Sequence, residues 1–205
     1  MDQFSTEEQQ VEAIKKFWKE NGIAILVGAA LGLGGLWGWR YYNEQVLLTQ
    51  EANSNAYETA IEQLQQDDVN AVKSFIEEKS DSNYAVLAAL QLAKEAIKHE
   101  DLTEAAKQLQ WAAENVDAQE IKDIALVRLA RVQNAQEQYD AALTTLSKVT
   151  SEAFKAQVHN IKGDVLVNQG KLTEAQNEYA QALALDENNT LLQMKVDDLK
   201  TKVNG

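Results

Sequence analysis

The chain has 205 residues, with 32 Asp and Glu against 19 Lys and Arg, a formal charge of −13, and neither cysteine nor proline. That acidity excludes nucleic acid as a ligand class, since its binding needs clustered Lys and Arg to neutralise phosphates, and it opposes broad adhesion to anionic lipid. Disulfides, thiolate chemistry and cysteine-based metal sites are excluded outright, and the missing proline, with abundant Ala, Leu, Gln, Glu and Lys, predicts an almost entirely helical protein.

Residues 1–21 carry five acids, Asp2, Glu7, Glu8, Glu12 and Glu20, together with Lys15, Lys16 and Lys19. Ser5 and Glu8 have capping-box spacing. Val11, Ile14, Phe17 and Trp18 share one helical face, so this stretch reads either as an interfacial helix or as the polar start of the next element.

Gly22 to Trp39 is an uncharged run of eighteen residues, GIAILVGAALGLGGLWGW. At about 1.5 Å per residue it spans roughly 27 Å, close to the hydrocarbon thickness of a bilayer. The preceding segment is too long and too acidic for a cleaved signal peptide. Trp37, Trp39, Arg40, Tyr41 and Tyr42 close the run as an interfacial belt would. The expectation is therefore a retained membrane helix over residues 22–42. Three lysines before it against Arg40 alone just after it predict a cytoplasmic N-terminus, with residues 43–205 across the membrane. For a bacterial inner membrane that destination is the periplasm. Ala24, Gly28, Gly32 and Gly35 fall on one face, which suits close packing of another membrane helix, although glycine is common in membrane helices anyway.

Beyond residue 40 the chain holds 27 acids and 15 bases, a net −12. Gln45–Gln66 reads as one helix. Asp67 or Asp68 caps a second, with Val69, Val72 and Ile76 on one face. A repeat then emerges: Asp101-Leu102-Thr103-Glu104-Ala105 recurs as Lys171-Leu172-Thr173-Glu174-Ala175, with Gln138-Tyr139-Asp140-Ala141-Ala142 between them. Four positions after each closing alanine stands Leu109, Leu146 or Tyr179. Twelve positions before it stands Ala93, Ala130 or Gly163. A period near 34 with two helices per unit is the spacing of tetratricopeptide repeats. The small residues belong where two antiparallel helices cross, and the larger ones fill the groove to the next pair. Residues 156–189 fit best, departing at His159, Lys162 and Glu187. Leu192, Val196, Leu199 and Val203 form an amphipathic helix suited to cover the end of the stack. The predicted fold is all-α: one membrane helix, then a solenoid of three to four helix pairs and a capping helix.

No catalytic constellation is present. His99 and His159 lack metal-ligand spacing to each other. Gly163–Lys171 has six residues between its glycines, and Leu172 stands where a phosphate-binding loop needs Ser or Thr. The chain reads as a non-enzyme, with no cofactor and no metal.

The order of these elements resembles the YfgM family, ancillary subunits of the Sec translocon of Gram-negative bacteria. That resemblance implies an inner-membrane protein beside the SecYEG channel, with the membrane-anchored chaperone PpiD as neighbour and emerging secretory chains as clients. It also implies a link to the Rcs stress-response regulator. By the register of tetratricopeptide arrays, the inner faces of the first helices line a groove. Here those faces carry Leu87, Leu90, Lys94, Ile97 and Lys98, then Ile124, Val127, Arg131 and Asn134, then Asn160, Asp164, Val167 and Asn168. Two readings follow: a chaperone-like scaffold at the translocon, or an inner-membrane regulator acting through residues 1–21.

Overall fold

The computed structural model describes residues 7–204. Among them it contains helices and turns and no strand. The chain divides into two compact units, residues 1–52 and 53–205. The Ser5–Glu8 capping box and the Val203 side chain lie outside the described residues.

The first helix, α1 (Glu7–Gln65), takes in the described residues of the first unit, and its last turns belong to the second. The interfacial stretch, the apolar run and Gln45–Gln65 are therefore one helix rather than three. No proline interrupts it, and the glycines of the apolar run cost helix propensity without removing a hydrogen bond. Its apolar side chains are open: Ile23 is 81% exposed, Leu31 72% and Trp37 73%. Among the described residues α1 is the helix long and apolar enough to cross a membrane, and only 6% of that stretch is buried. A soluble protein rarely leaves so much contiguous apolar surface to water, so membrane anchoring is the environment it fits.

The second unit is built by one turn used four times. Helices α2 (Val69–Glu78), α3 (Asn83–Lys98), α4 (Leu102–Glu114), α5 (Gln119–Ala135), α6 (Tyr139–Leu146), α7 (Lys155–Asn168), α8 (Leu172–Leu185) and α9 (Thr190–Asn204) follow α1. At Asp67, Glu100, Glu137 and Gly170 the backbone swings to φ of 67°, 62°, 60° and 76°. The next amide in each case donates to the carbonyl five residues back: Asp68 to Gln63 at 3.0 Å, Asp101 to Ala96 at 2.8 Å, Gln138 to Gln133 at 2.8 Å, Lys171 to Leu166 at 2.9 Å. This left-handed closure satisfies the last carbonyls of one helix and reverses the chain into the next. Four copies of it define four helix pairs: the end of α1 with α2, then α3–α4, α5–α6 and α7–α8. Asp68 caps α2, accepting from the amides of Asn70 and Ala71, and Asp101 caps α4 through the Glu104 amide at 2.9 Å.

Packing follows the small-residue rule. Ala93 and Ala105, then Ala130 and Ala142, are at most 1% exposed, and Gly163 and Ala175 are buried likewise. At each crossing the small or missing side chain lets two helices approach closely. Leu109, Leu146 and Tyr179 fill the adjoining space and are 1–4% exposed. The first pair is folded onto the second, with Leu64, Phe75 and Ile76 clustering with Val86, Leu92 and Ala112. At the far end Leu192, Val196 and Leu199 of α9 close over Leu166, Ala175, Tyr179 and Ala182. Burying each such leucine contributes about 1.5–3 kcal/mol before entropy is counted.

Among the described residues one carboxylate sits in this core. Asp123 on α5 is fully buried. Its Oδ2 accepts from the Ser151 amide at 2.9 Å and its Oδ1 from Gln119 Nε2 at 2.8 Å. It thereby anchors the loop between the short α6 and the 3₁₀ turn Glu152–Phe154 that precedes α7.

Candidate partner-binding groove

Helix α3 buries Ala85, Ala88, Ala89, Leu92, Ala93 and Ala96. A second stripe, at spacing three and four, leaves Leu87, Leu90, Lys94 and Ile97 on another face. On α5 the same periodicity places Ile124, Arg128 and Arg131 together. Between α3 and α5 lies a cavity of about 380 Å³, lined by Leu90, Ala93, Lys94 and Ile97 on one side and by Arg128, Arg131, Val132 and Ala135 on the other. Leu102 and Leu109 of α4 supply the remaining wall. The surface is thus apolar at the base and cationic at the margins.

Of the residues expected to line a groove, the structure brings Leu90, Lys94, Ile97 and Arg131 into this one cavity. Leu87 stands beside it, 40% exposed, and Ile97 is 42% exposed. Lys98 is exposed but pairs with Glu95 at 3.0 Å. Ile124 is half-buried. Val127 departs from the expectation. It is 2% exposed and packs with Ala130, Ala142, Leu146, Ile161 and Val165, so it belongs to the core. The position that faces the cavity is its neighbour Arg128, which the i, i+4, i+7 spacing from Ile124 to Arg131 would have revealed.

Further along, the inner face is occupied by the chain itself. Asn134 accepts from Asn168 Nδ2 at 3.0 Å, joining α5 to α7. Lys195 of α9 donates to Asn160 Oδ1 at 2.8 Å and to Asp164 Oδ1. Asn160 and Asp164 are therefore engaged by the capping helix, and Val167 is half-buried in the cluster that α9 completes. In the first unit the small-residue face of Ala24, Gly28, Gly32 and Gly35 is open, and a Cβ on any of its glycines would meet nothing within 4 Å.

The electrostatics are local. Lys98 hydrogen-bonds Glu95 and holds that carboxyl below the usual range. Burial pushes the Tyr179 phenol up, and the Asp164 carboxylate that accepts its hydrogen bond at 2.6 Å adds to the rise. His159 Nδ1 lies 2.6 Å from Glu178 Oε2, tying α7 to α8. His99 is exposed at the end of α3. Gly163 and Gly170 serve helix contact and turn respectively, which accounts for the glycines of the Gly163–Lys171 stretch. Among the described residues no three His, Asp or Glu side chains converge to hold a metal.

A model of the tetratricopeptide repeat-like domain matches residues 15–201. The chain is 35% identical over 205 residues to the ancillary SecYEG translocon subunit of Escherichia coli K12, covering 97% of this chain and 99% of that protein. It is 35% identical over 179 residues to the Haemophilus influenzae protein of the same name (86% and 88% covered), and 33% identical over 205 residues to that of Neisseria gonorrhoeae (95% and 97%). Among solved structures, PilF of Pseudomonas aeruginosa superposes with a TM-score of 0.57 at 18% identity, over 76% of this chain and 70% of that one. That likeness concerns the fold alone.

Proposed function

We propose a function from this premise: the chain belongs to the YfgM family of ancillary SecYEG translocon subunits. It is a non-enzymatic scaffold anchored by α1 beside the SecYEG channel, with its repeat domain on the periplasmic side of a bacterial inner membrane. Lys15, Lys16 and Lys19 before the apolar run, against Arg40 after it, support this orientation. The repeat domain docks neighbours such as the membrane-anchored chaperone PpiD and takes up segments of emerging secretory chains in a chaperone-like role.

The observation that carries the reading is the open α3–α5 groove, apolar and edged by cations, on an inner face that Asn168 and Lys195 occupy further along. Tethering at the bilayer raises the effective concentration of that groove near a channel exit, so weak, sequence-tolerant contacts suffice. Leu90 and Ile97 offer apolar contact, and Lys94 and Arg131 offer charge, which suits an extended or helical segment.

Affinity isolation of the full-length chain from membranes solubilised in mild detergent tests the assignment. SecYEG should co-isolate, and protease added to spheroplasts should degrade residues 53–205 while sparing an N-terminal epitope. A repeat domain protected in spheroplasts but cleaved in inverted vesicles would overturn the proposed orientation. Isolation without SecYEG would overturn the association.

A further inference from the structure

We infer that the α3–α5 groove selects a polypeptide segment in which side-chain carboxylates flank a leucine- or phenylalanine-sized residue. This rests on the reading of the groove as the partner-binding face and specifies the chemistry of its occupant. Three cations, Lys94, Arg128 and Arg131, surround one apolar cavity, and no acidic residue lines it. Three other cavities along the array each carry acid: Glu114 and Asp140 in one of about 630 Å³, Glu77 in a second, and Asp67, Glu95, Asp101 and Glu104 in a third. Lys94, Arg128 and Arg131 form no ion pair among the described residues; Lys122 and Lys148 form none either, but their cavity supplies Glu114 and Asp140. The acid next to Lys94 in sequence, Glu95, is bonded by Lys98 instead.

With a net charge of −12 beyond residue 40, grouping three cations without partners sets up mutual repulsion that a bound anion relieves. Arginine's planar fork matches a carboxylate with two parallel hydrogen bonds. A volume of about 380 Å³ accommodates a few side chains and not a folded partner. The apolar wall from Leu90, Ile97 and Leu102 asks for a hydrophobic residue beside the charge. Anionic lipid offers negative charge too, but the acidic bulk of the domain repels a charged membrane surface over a screening length of about 8 Å at physiological salt.

The test uses the full-length chain in nanodiscs of neutral phosphatidylcholine. The probe is a fluorescent twelve-residue peptide of Asp, Glu, Leu and Phe with both ends blocked, compared with its Asn/Gln counterpart. The acidic peptide should bind about tenfold more tightly, with the difference shrinking as salt rises. Arg128→Gln with Arg131→Gln should abolish the preference without changing helicity, and Lys122→Gln with Lys148→Gln, in the 630 Å³ cavity, should leave it intact. Equal binding of both peptides overturns the inference. So does a preference that survives the arginine changes, or binding to phosphatidylglycerol vesicles in place of the peptide. SecYEG co-isolation is read alongside on the natural chain, so equal binding of both peptides with SecYEG retained sinks this inference and leaves the assigned role standing.

Discussion

Gly163 on α7 lies directly against Tyr179 on α8: a Cβ built on Gly163 would lie 2.3 Å from Tyr179 Cε1. The ring has no room to withdraw. Its hydroxyl donates to Asp164, and Lys195 Nζ lies 5.0 Å from its centroid.

Gly163→Ala therefore destabilises the domain. Alanine gains about 0.5–1 kcal/mol of helix propensity, but forcing apart a pinned contact costs about 1–3 kcal/mol. The expected net loss, about 1–2 kcal/mol, is read from the urea midpoint of the full-length chain. Combining it with Tyr179→Ala should cost less than the sum of the two single changes, because the clash is then gone. Additive costs would place the strain elsewhere.

The turns at Glu100 and Glu137 carry side chains in the left-handed region, which costs about 1–2 kcal/mol for an ordinary residue. Glycine removes that strain while adding unfolded-state freedom worth about 0.4–1 kcal/mol. Glu100→Gly and Glu137→Gly should each raise stability by about 0.5–1 kcal/mol, and Gly170→Ala should lower it by about 1 kcal/mol. A stability loss in both glutamate variants would contradict the turn geometry.

Asp123→Ala leaves the half-buried Ser151 amide without its acceptor. An orphaned buried donor costs about 1–3 kcal/mol, and a half-buried one falls at the lower end, about 1 kcal/mol. Faster hydrogen exchange at Ser151 and its neighbours, with α1–α4 unaffected, would locate the loss in the loop before α7. Unchanged exchange there would show that the carboxylate does not hold the loop.

The raised Tyr179 phenol gives a pH signature. An unfolded tyrosine ionises near pH 10 (about 10), whereas the folded one keeps its proton, so stability from this group is complete below that pH and falls as pH rises past it. The urea midpoint should fall more steeply above pH ~10 in the natural chain than in Tyr179→Phe. Parallel curves would contradict the burial of this hydroxyl.

Much of this architecture is written in small residues. Ala93, Ala105, Ala130, Ala142, Gly163 and Ala175 announce the helix crossings because nothing larger fits, and Leu192, Val196 and Leu199 announce the cap. Other features leave no such trace. Three of the four left-handed turns use Asp67, Glu100 and Glu137 where glycine would be the readable signal. Asp123 reads as one more surface acid on a helix until the returning loop brings Ser151 onto it. Asn160 and Asp164 occupy groove positions by register, but Lys195, over thirty positions later, engages them. Arg128 was hidden beside Val127, since a one-position shift on a helix turns a side chain by about 100° and exchanges core for groove.

A photo-reactive residue at Ile97, in the full-length chain inserted in the membranes of living cells, tests the groove at the translocon most directly. Adducts with exported polypeptides or translocon neighbours from Ile97 and from Arg131, but not from Lys148, are the predicted result. Adducts arising only from α1, with the groove positions silent, would contradict it.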